Sequence, residues 1–499
     1  MISPPGRAGL CAPPIQPPHD DDRVSDHMVF MSHFSLRNIS LFSALLTAVV
    51  TTSPTTVTAE SMTLAACVER ALAHNNLVLM AEQGVVRSQA DVTSARARRL
   101  PSLSTTLLNF SRSRTGPSVR VQENPTGEVD PTTGDRIFAE ETTRIPGIDR
   151  NTYSFGAGLN HTIYDGGQGR RVHGAAREGL TSAQLQLRSS HANIVFLVKA
   201  RYYSLLKAQD LVQVQASAQG LSQRRLEGAE ARLEVGAGTR VDVLRLQVAV
   251  DNASADMINS AQQVLLASAT LNHAMGRDLS ESLEIESQAE DVSSAYLPSG
   301  EDIGDARARI HELVQQAKQQ SPDIQALRHA LTAAELNLKA SQAAWQPTVS
   351  ASVSYSRNNE VFDRVYGGLD ENYRINGGLS VNYNLFDGGL RTAANRRARA
   401  NLEMARLTLD QRERDLALAV ETTYLEMVRL GRILEIALRT TDLATEDLRL
   451  AEERYRVGKG RLLEVLDAQV GQTQAASNRV RTRYDLAVAG ADMERLVGK

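Results

Sequence analysis

The chain has 499 residues, 42% of them hydrophobic and 23% charged, with a formal net charge of −3. That near-neutral balance gives no reason to expect nucleic acid or an anionic surface as a partner. Cys11 and Cys67 are the two cysteines of the chain, which excludes a disulfide framework and a cysteine metal site.

Residues 1–59 read as a leader. Arg37 precedes an apolar run, Leu41 to Val50, too short to cross a bilayer, and Val57-Thr58-Ala59 offers a small-residue cleavage site before Glu60. Residues 1–27 are rich in Pro and Asp and fit no export signal, so translation is expected to start at Met28 or Met31. A buried N-terminal helix is the alternative. No Cys stands at the cleavage point, so no lipid anchor is expected there. Beyond it, no apolar run approaches the ~18 residues of a transmembrane helix.

Ser102 to Phe110 alternates imperfectly between apolar and polar residues and reads as a strand with a bulge. A stretch rich in Pro, Gly, Thr and Asp follows, and is expected to form a surface loop. Tyr153 to Ile163 alternates cleanly and ends in Tyr164-Asp165-Gly166-Gly167. All 15 Pro lie outside the windows Gly147–Leu297 and Thr348–Lys499, and Pro costs ~3 kcal/mol inside a helix. Within the first window the apolar spacing predicts one helix from Gln168 to Leu233. It breaks at Gly236-Ala237-Gly238 and resumes to Met275, giving a helical hairpin. Its sparse, Ala-rich seam (Ala216, Ala218, Ala249, Ala253) suits close packing; a soluble coiled coil is the alternative. Asp278–Asp305 holds nine acidic residues and no Lys or Arg.

The pattern then recurs. Thr348–Tyr355 and Tyr373–Leu385 alternate as strands, and Phe386-Asp387-Gly388-Gly389 returns 222 positions after Tyr164-Asp165-Gly166-Gly167. Val457-Gly458-Lys459-Gly460 returns 222 after Val235-Gly236-Ala237-Gly238. Upstream the offset is 246, aligning Leu100-Pro101 with Gln346-Pro347, so the first copy carries 24 extra residues between Pro101 and Asp165. Such a long-period repeat defines the architecture. The expected organisation is a first repeat over 60–277 with its β-hairpin at 100–167, an acidic linker at 278–305, and a second repeat over 306–499 with its hairpin at 345–389.

The strands carry Ser, Asn, Thr and Gly on the face opposite the apolar one, which suits a watered lumen. The two hairpin windows also hold 12 of the 19 aromatics after Ala59, including Trp345, as the girdles of outer-membrane barrels do. Four strands cannot close a barrel, and open edges in lipid leave backbone groups unpaired, so the strands must close with other copies. Three chains would give twelve strands; the residues themselves do not fix three.

The order and doubling of these motifs resemble the TolC-like outer-membrane efflux protein family across nearly all of Glu60–Lys499. The features that carry the resemblance are Met62-Thr63-Leu64, Ala71-Leu72-Ala73-His74-Asn75-Asn76, Arg99-Leu100-Pro101-Ser102-Leu103, the doubled aromatic-Asp-Gly-Gly turn, and the Gly-x-Gly tips followed by Asp/Glu-Val-Leu. The resemblance implies a mixed α and β membrane protein. It would be a homotrimer, with a twelve-stranded transmembrane β-barrel in outer-membrane lipid continuing into a long periplasmic α-helical barrel. The acidic linker would belong to the belt around that tunnel. The implied role is the exit duct of a tripartite efflux pump or type I secretion system, docking a periplasmic adaptor (membrane fusion) protein and an inner-membrane transporter.

Candidate functional residues lie at the hairpin tips. Glu464 and Asp467 are three apart and share a helix face, and Asp242 is the counterpart of Glu464 in the first copy. On a threefold axis such carboxylates would form rings that favour cations. By resemblance Glu464 and Asp467 match aperture carboxylates, and Tyr455 with Asp242 matches a tip contact that holds the aperture shut. An Arg common there in the family is replaced by Gly460, with Arg461 beside it. A solvated helix end is the plain alternative for each charge. Gly236, Gly238, Gly458 and Gly460 permit tight turns and, second, present the adaptor-docking surface. Asp165 and Asp387, with Gly166, Gly167, Gly388 and Gly389, are expected to shape strand-to-helix turns. No catalytic, cofactor-binding or metal-binding residue is expected: P-loop, GxGxxG and HExxH motifs are absent, and His311-Glu312 lacks its second His. Energy must therefore come from a partner. The rival reading is a periplasmic adaptor or coiled-coil scaffold without its own pore. The exported substrate is not encoded in any of these motifs.

Overall fold

A computed structural model of the chain describes residues 62–286, 303–368 and 370–498. The expected leader and residues 287–302 of the acidic linker lie outside the described residues. Helix α1 (Leu64–His74) starts at Thr63, whose hydroxyl accepts the Ala66 N–H at 3.2 Å. Asn75 then caps α2 (Asn76–Ala97), its Oδ1 accepting the Leu77 N–H at 2.9 Å while its amide donates to the Ala274 carbonyl.

Strands β1 (Ser102–Thr115), β2 (Ser118–Val129), β3 (Arg136–Ile145) and β4 (Ile148–Tyr164) follow. The irregularity expected in β1 is a bulge, a register shift between Thr106 and Asn109. The stretch expected to be a surface loop is instead a paired ribbon, β2 against β3, with Val119 opposite Arg144 and Val121 opposite Thr142. Short alternating runs such as Val119–Val121 pair readily once a turn brings them together. Here Asp130 Oδ1 accepts the Thr132 N–H at 2.8 Å to make that turn.

Helix α3 (Gln168–Glu234) has 67 residues, ~100 Å at 1.5 Å per residue, and is followed by α4 (Arg240–Met275). Helices α5 (Ile303–Gln320) and α6 (Pro322–Ala343) lead to β5 (Thr348–Asn359), the one-turn helix α7 (Asp363–Tyr366) and β6 (Tyr373–Asn382). The chain closes with α8 (Leu390–Arg456), again 67 residues, and α9 (Leu462–Val497). The last strand was expected to reach Leu385 and stops at Asn382. Its partner β5 begins at Thr348, opposite Asn382, and Pro347 before it has no N–H to extend the ladder.

Four strands form an antiparallel sheet in the order β1-β4-β5-β6, leaving β1 and β6 as its edges. Its register sorts the two faces. Leu103, Leu159, Val353 and Gly377 lie in one cross-strand row, and Thr105, Ala157, Tyr355 and Ile375 in the next on that face. Ala351 meets Leu379, and Val349 meets Val381. The opposite face carries Ser104, Gly158, Ser354 and Asn376, then Ser102, Asn160, Ser352 and Gly378. Leu103, Val353, Ile375, Leu379 and Val381 are each exposed by half or more.

The helices bury two main clusters. Cys67, Tyr202, Leu206, Leu271 and Met275 join α1, α3 and α4, with Tyr484 of α9 at the border. Leu313, Tyr424, Met427, Met493 and Val497 join α5, α8 and α9. Each fully buried Leu or Met of these clusters contributes ~1.5–3 kcal/mol. Polar links then tie α3 to α9: Lys199 to Glu494 at 2.8 Å, Lys207 to Asp485 at 2.9 Å, and the Tyr484 hydroxyl to Asp210 at 2.8 Å.

Candidate functional site

The two strand-to-helix turns are built alike. Asp165 Oδ1 accepts the Gly167 N–H at 2.9 Å and its Oδ2 accepts the Gly169 N–H at 2.6 Å. Asp387 Oδ1 accepts the Gly389 N–H at 3.0 Å and its Oδ2 the Arg391 N–H at 3.0 Å. The glycines adopt left-handed backbone, with φ of +68° and +80° at Gly166 and Gly167 and +65° and +93° at Gly388 and Gly389. The second turn has one further element: the Arg391 guanidinium reaches Asp387 at 2.8 Å and lies 4.5 Å over the Trp345 ring.

At the far end of the helices, α3 stops at Gly236 (φ +73°), and the Ala237 N–H returns to the Arg232 carbonyl at 2.8 Å. A Cβ on Gly238 would lie 2.9 Å from the Leu233 nitrogen, so a side chain has no room there. The Thr239 hydroxyl then accepts the Asp242 N–H and donates to Asp242 Oδ2 at 2.8 Å, a reciprocal helix cap. The second tip repeats the turn with Gly458 (φ +73°), and the Lys459 N–H bonds the Arg454 carbonyl at 2.9 Å. A Cβ on Gly460 would lie 3.1 Å from the Tyr455 nitrogen. No side chain caps α9; Arg461 stands at its N-cap and approaches Glu464 at 3.6 Å, as does Arg454. Asp467, one turn on, is exposed and has no salt bridge among the described residues.

The tips pack against each other. Tyr455 touches the cluster of Leu226, Leu246, Val250 and Leu462 and also that of Leu448, Val465 and Ala468. Its ring lies under the Arg232 guanidinium at 5.1 Å, while the Asp242 carboxylate is engaged by Thr239. Thus the two residues matched to a tip contact are held separately within one chain. A network absent from the sequence reading lies just above. Arg225 of α3 donates to Glu452 of α8 and to Gln469 of α9, and the Gln469 amide donates to Ser222 Oγ at 2.8 Å. Gln469 is buried, and Arg225 is nearly so.

An amphipathic sheet feeding long paired helical hairpins defines a membrane channel subunit with an extramembrane helical part. The chain belongs to the outer membrane efflux protein family, whose profile matches residues 67–277 and 313–499. It is 24% identical over 358 residues to the outer membrane efflux protein BepC of Brucella suis, covering 71% of this chain and 74% of BepC. It is 22% identical over 280 residues to the alkaline protease secretion protein AprF of Pseudomonas aeruginosa, covering 55% of each. Among solved structures it resembles the transmembrane channel CusC with a TM-score of 0.70 at 19% identity, covering 87% of this chain and 92% of CusC. The chain is therefore an outer-membrane efflux or secretion channel protein with a periplasmic extension, and the pore-free scaffold reading is set aside.

Proposed function

We propose that three copies of this chain close a twelve-stranded barrel in the outer membrane, continued by a helical tube into the periplasm. The observation that carries this reading is the sheet. One of its faces is apolar and exposed, and both its edges, β1 and β6, are open. Lipid cannot satisfy open edges, and β6 of one copy pairing with β1 of the next removes them. The internal repeat is part of the same reading. Tyr202 and Tyr424, and Leu271 and Met493, are counterparts at the 222-residue offset and are buried in the two clusters. On this reading 60–277 and 306–499 are two copies of one unit, and 278–305 lies in a belt around the tube.

The duct is passive and gated at the hairpin tips, where Asp242, Glu464, Asp467 and Tyr455 surround the aperture. The glycine turns at Gly236, Gly238, Gly458 and Gly460 present the surface that a periplasmic adaptor docks. An inner-membrane transporter supplies the energy. BepC is named for efflux and AprF for protease secretion, and these two names support a reading in which the duct serves either a tripartite pump or a type I secretion system.

Negative-stain electron microscopy of the detergent-extracted chain tests the assembly. The expected particles have threefold symmetry and a long tube projecting from a micelle belt. Elongated particles without a micelle belt would sink the barrel.

A further inference from the structure

The repeat provides an internal control for the strand-to-helix turns. In the second turn, Asp387 is neutralised by Arg391, which also stacks on Trp345. In the first turn the counterpart of Arg391 is Gly169, and Asp165 takes backbone N–H groups alone. Yet this first turn is the one crowded with cations. Arg98, Arg99, Arg170 and Arg171 line a cleft of about 630 Å³ together with Tyr164 and Gln346. Their counterparts in the second copy are Ala344, Trp345, Thr392 and Ala393. The same turn thus forms without them, and apart from Arg171 the fold does not explain these guanidinium groups.

Arg171 has a structural task, donating to the Gly166 carbonyl at 3.1 Å and the Lys339 carbonyl at 3.3 Å. Arg98, Arg99 and Arg170 have no carboxylate partner among the described residues. The positive field is felt nearby: burial, and then Arg177, Arg99 and Arg96, hold the His173 imidazole below its ordinary value. Asp165 has already taken the Gly167 and Gly169 N–H groups, so an anion here meets guanidinium groups and not the end of α3.

Position identifies the anion. His161 and Tyr164 pair with Ala351 and Val349, so they continue the rows of the apolar face to its end. The cleft opens where that face gives way to α2 and α3, with Tyr164 and Trp345 at the boundary. Aromatics and arginines at such a boundary sit at headgroup depth. Guanidinium groups bind phosphate in bidentate fashion, and a phospholipid there would lay its tails along the apolar face. We propose that this first turn is a binding site for the phosphate headgroup of an anionic phospholipid in the periplasm-facing leaflet. The proposal rests on the barrel reading above.

The test is native mass spectrometry of the detergent-extracted full chain with added phosphatidylglycerol or phosphatidylethanolamine, run alongside membrane fractionation. Arg98→Ala/Arg170→Thr installs the residues of the second copy, and Arg98→Lys/Arg170→Lys keeps the charge. The expected result is phosphatidylglycerol adducts that fall at least fivefold in the Ala/Thr variant and persist in the Lys variant, with both variants still in the membrane fraction. Equal phosphatidylglycerol retention by parent and Ala/Thr variant, or equal retention of the two lipids by the parent, would overturn the site alone. Displacement of the adducts by millimolar inorganic phosphate would overturn the lipid in favour of a free-anion site. Recovery of the parent chain in the soluble fraction would overturn the barrel and the site together.

Discussion

Arg225 and Gln469 stand 244 residues apart in the chain and are joined by a hydrogen bond between α3 and α9, with Glu452 of α8 on the same guanidinium. Three helices of the two hairpins thus share one side chain close to the tips. Arg225→Ala leaves the Gln469 carbonyl oxygen without its donor in a buried place. The expected cost is ~1–2 kcal/mol, toward the low side because Glu452 is solvent-screened. Hydrogen exchange should speed up in α9 from Leu462 to Ala475 and stay unchanged around Tyr202. Unchanged exchange at the tips would show that the packing around Tyr455 suffices.

The tip glycines differ in what they tolerate. Gly236→Ala meets open space and incurs the left-handed penalty, ~1 kcal/mol. Gly238→Ala drives a methyl against the Leu233 nitrogen and the Arg232 carbonyl carbon, so backbone must move, at ~2–3 kcal/mol. Thermal unfolding of the two variants should rank them in that order. The opposite order would mean that the turn relaxes around residue 238.

At the second strand-to-helix turn, loss of hydration raises the Asp387 carboxyl. Hydrogen bonds from the Arg391 N–H, the Arg391 guanidinium and the Gly389 N–H outweigh this and hold it below the usual carboxylate range. A carboxyl depressed by folding adds stability above its unfolded value, ~3.9, and loses it as pH falls through the folded value. Asp387→Asn should therefore lower Tm at pH 7 and narrow the gap to the parent as pH drops below about 4. A gap that is constant from pH 7 to pH 3 would show that the ionised form contributes nothing special.

Much of this architecture is readable from residue order. The helix expected over Gln168–Leu233 is α3, Gln168–Glu234, because a long Pro-free window with steady apolar spacing has few other outcomes. Alternation marked the four strands of the sheet, cleanly in β4, β5 and β6 and imperfectly in β1, where the bulge between Thr106 and Asn109 breaks it. The β2–β3 ribbon escaped because Pro125 and the surrounding polar residues mask its pairing, and β6 fell short of Leu385 because a partner strand, not alternation, sets a ladder's length. The Arg225 network left no local signal at all. Glu452 and Gln469 lie 227 and 244 residues away and meet it through helix packing alone. The Arg98–Arg171 cluster could have been found by comparing the two copies position by position, where arginines face Ala, Trp and Thr.

The register of β6 separates two neighbouring positions. Val381 pairs with Val349 on the apolar face, and Asn382 pairs with Thr348 on the polar face. Val381 shares the row of Val349 and Tyr164 at the interface end of that face. Val381→Arg should therefore cost ~0–1 kcal/mol, against the ~2–4 kcal/mol of a midplane position. Asn382→Arg should be tolerated. Yields of membrane-inserted protein and its Tm in detergent check this, and the reverse result would turn the sheet inside out.

Glu464 and Asp467 share a face of α9, but their surroundings differ. Glu464 has Arg454 and Arg461 at 3.6 Å, whereas Asp467 is exposed one turn on. A carboxylate flanked by two guanidinium groups contributes little net negative potential to a passing ion. If three copies bring these residues around a common axis, Asp467 sets the field there and Glu464 holds the turn. Asp467→Ala should then reduce cation preference in planar bilayers more than Glu464→Ala does, and the difference should shrink at high salt as screening grows. Equal ion selectivity in the parent and both variants would remove this face of α9 from the conduction path.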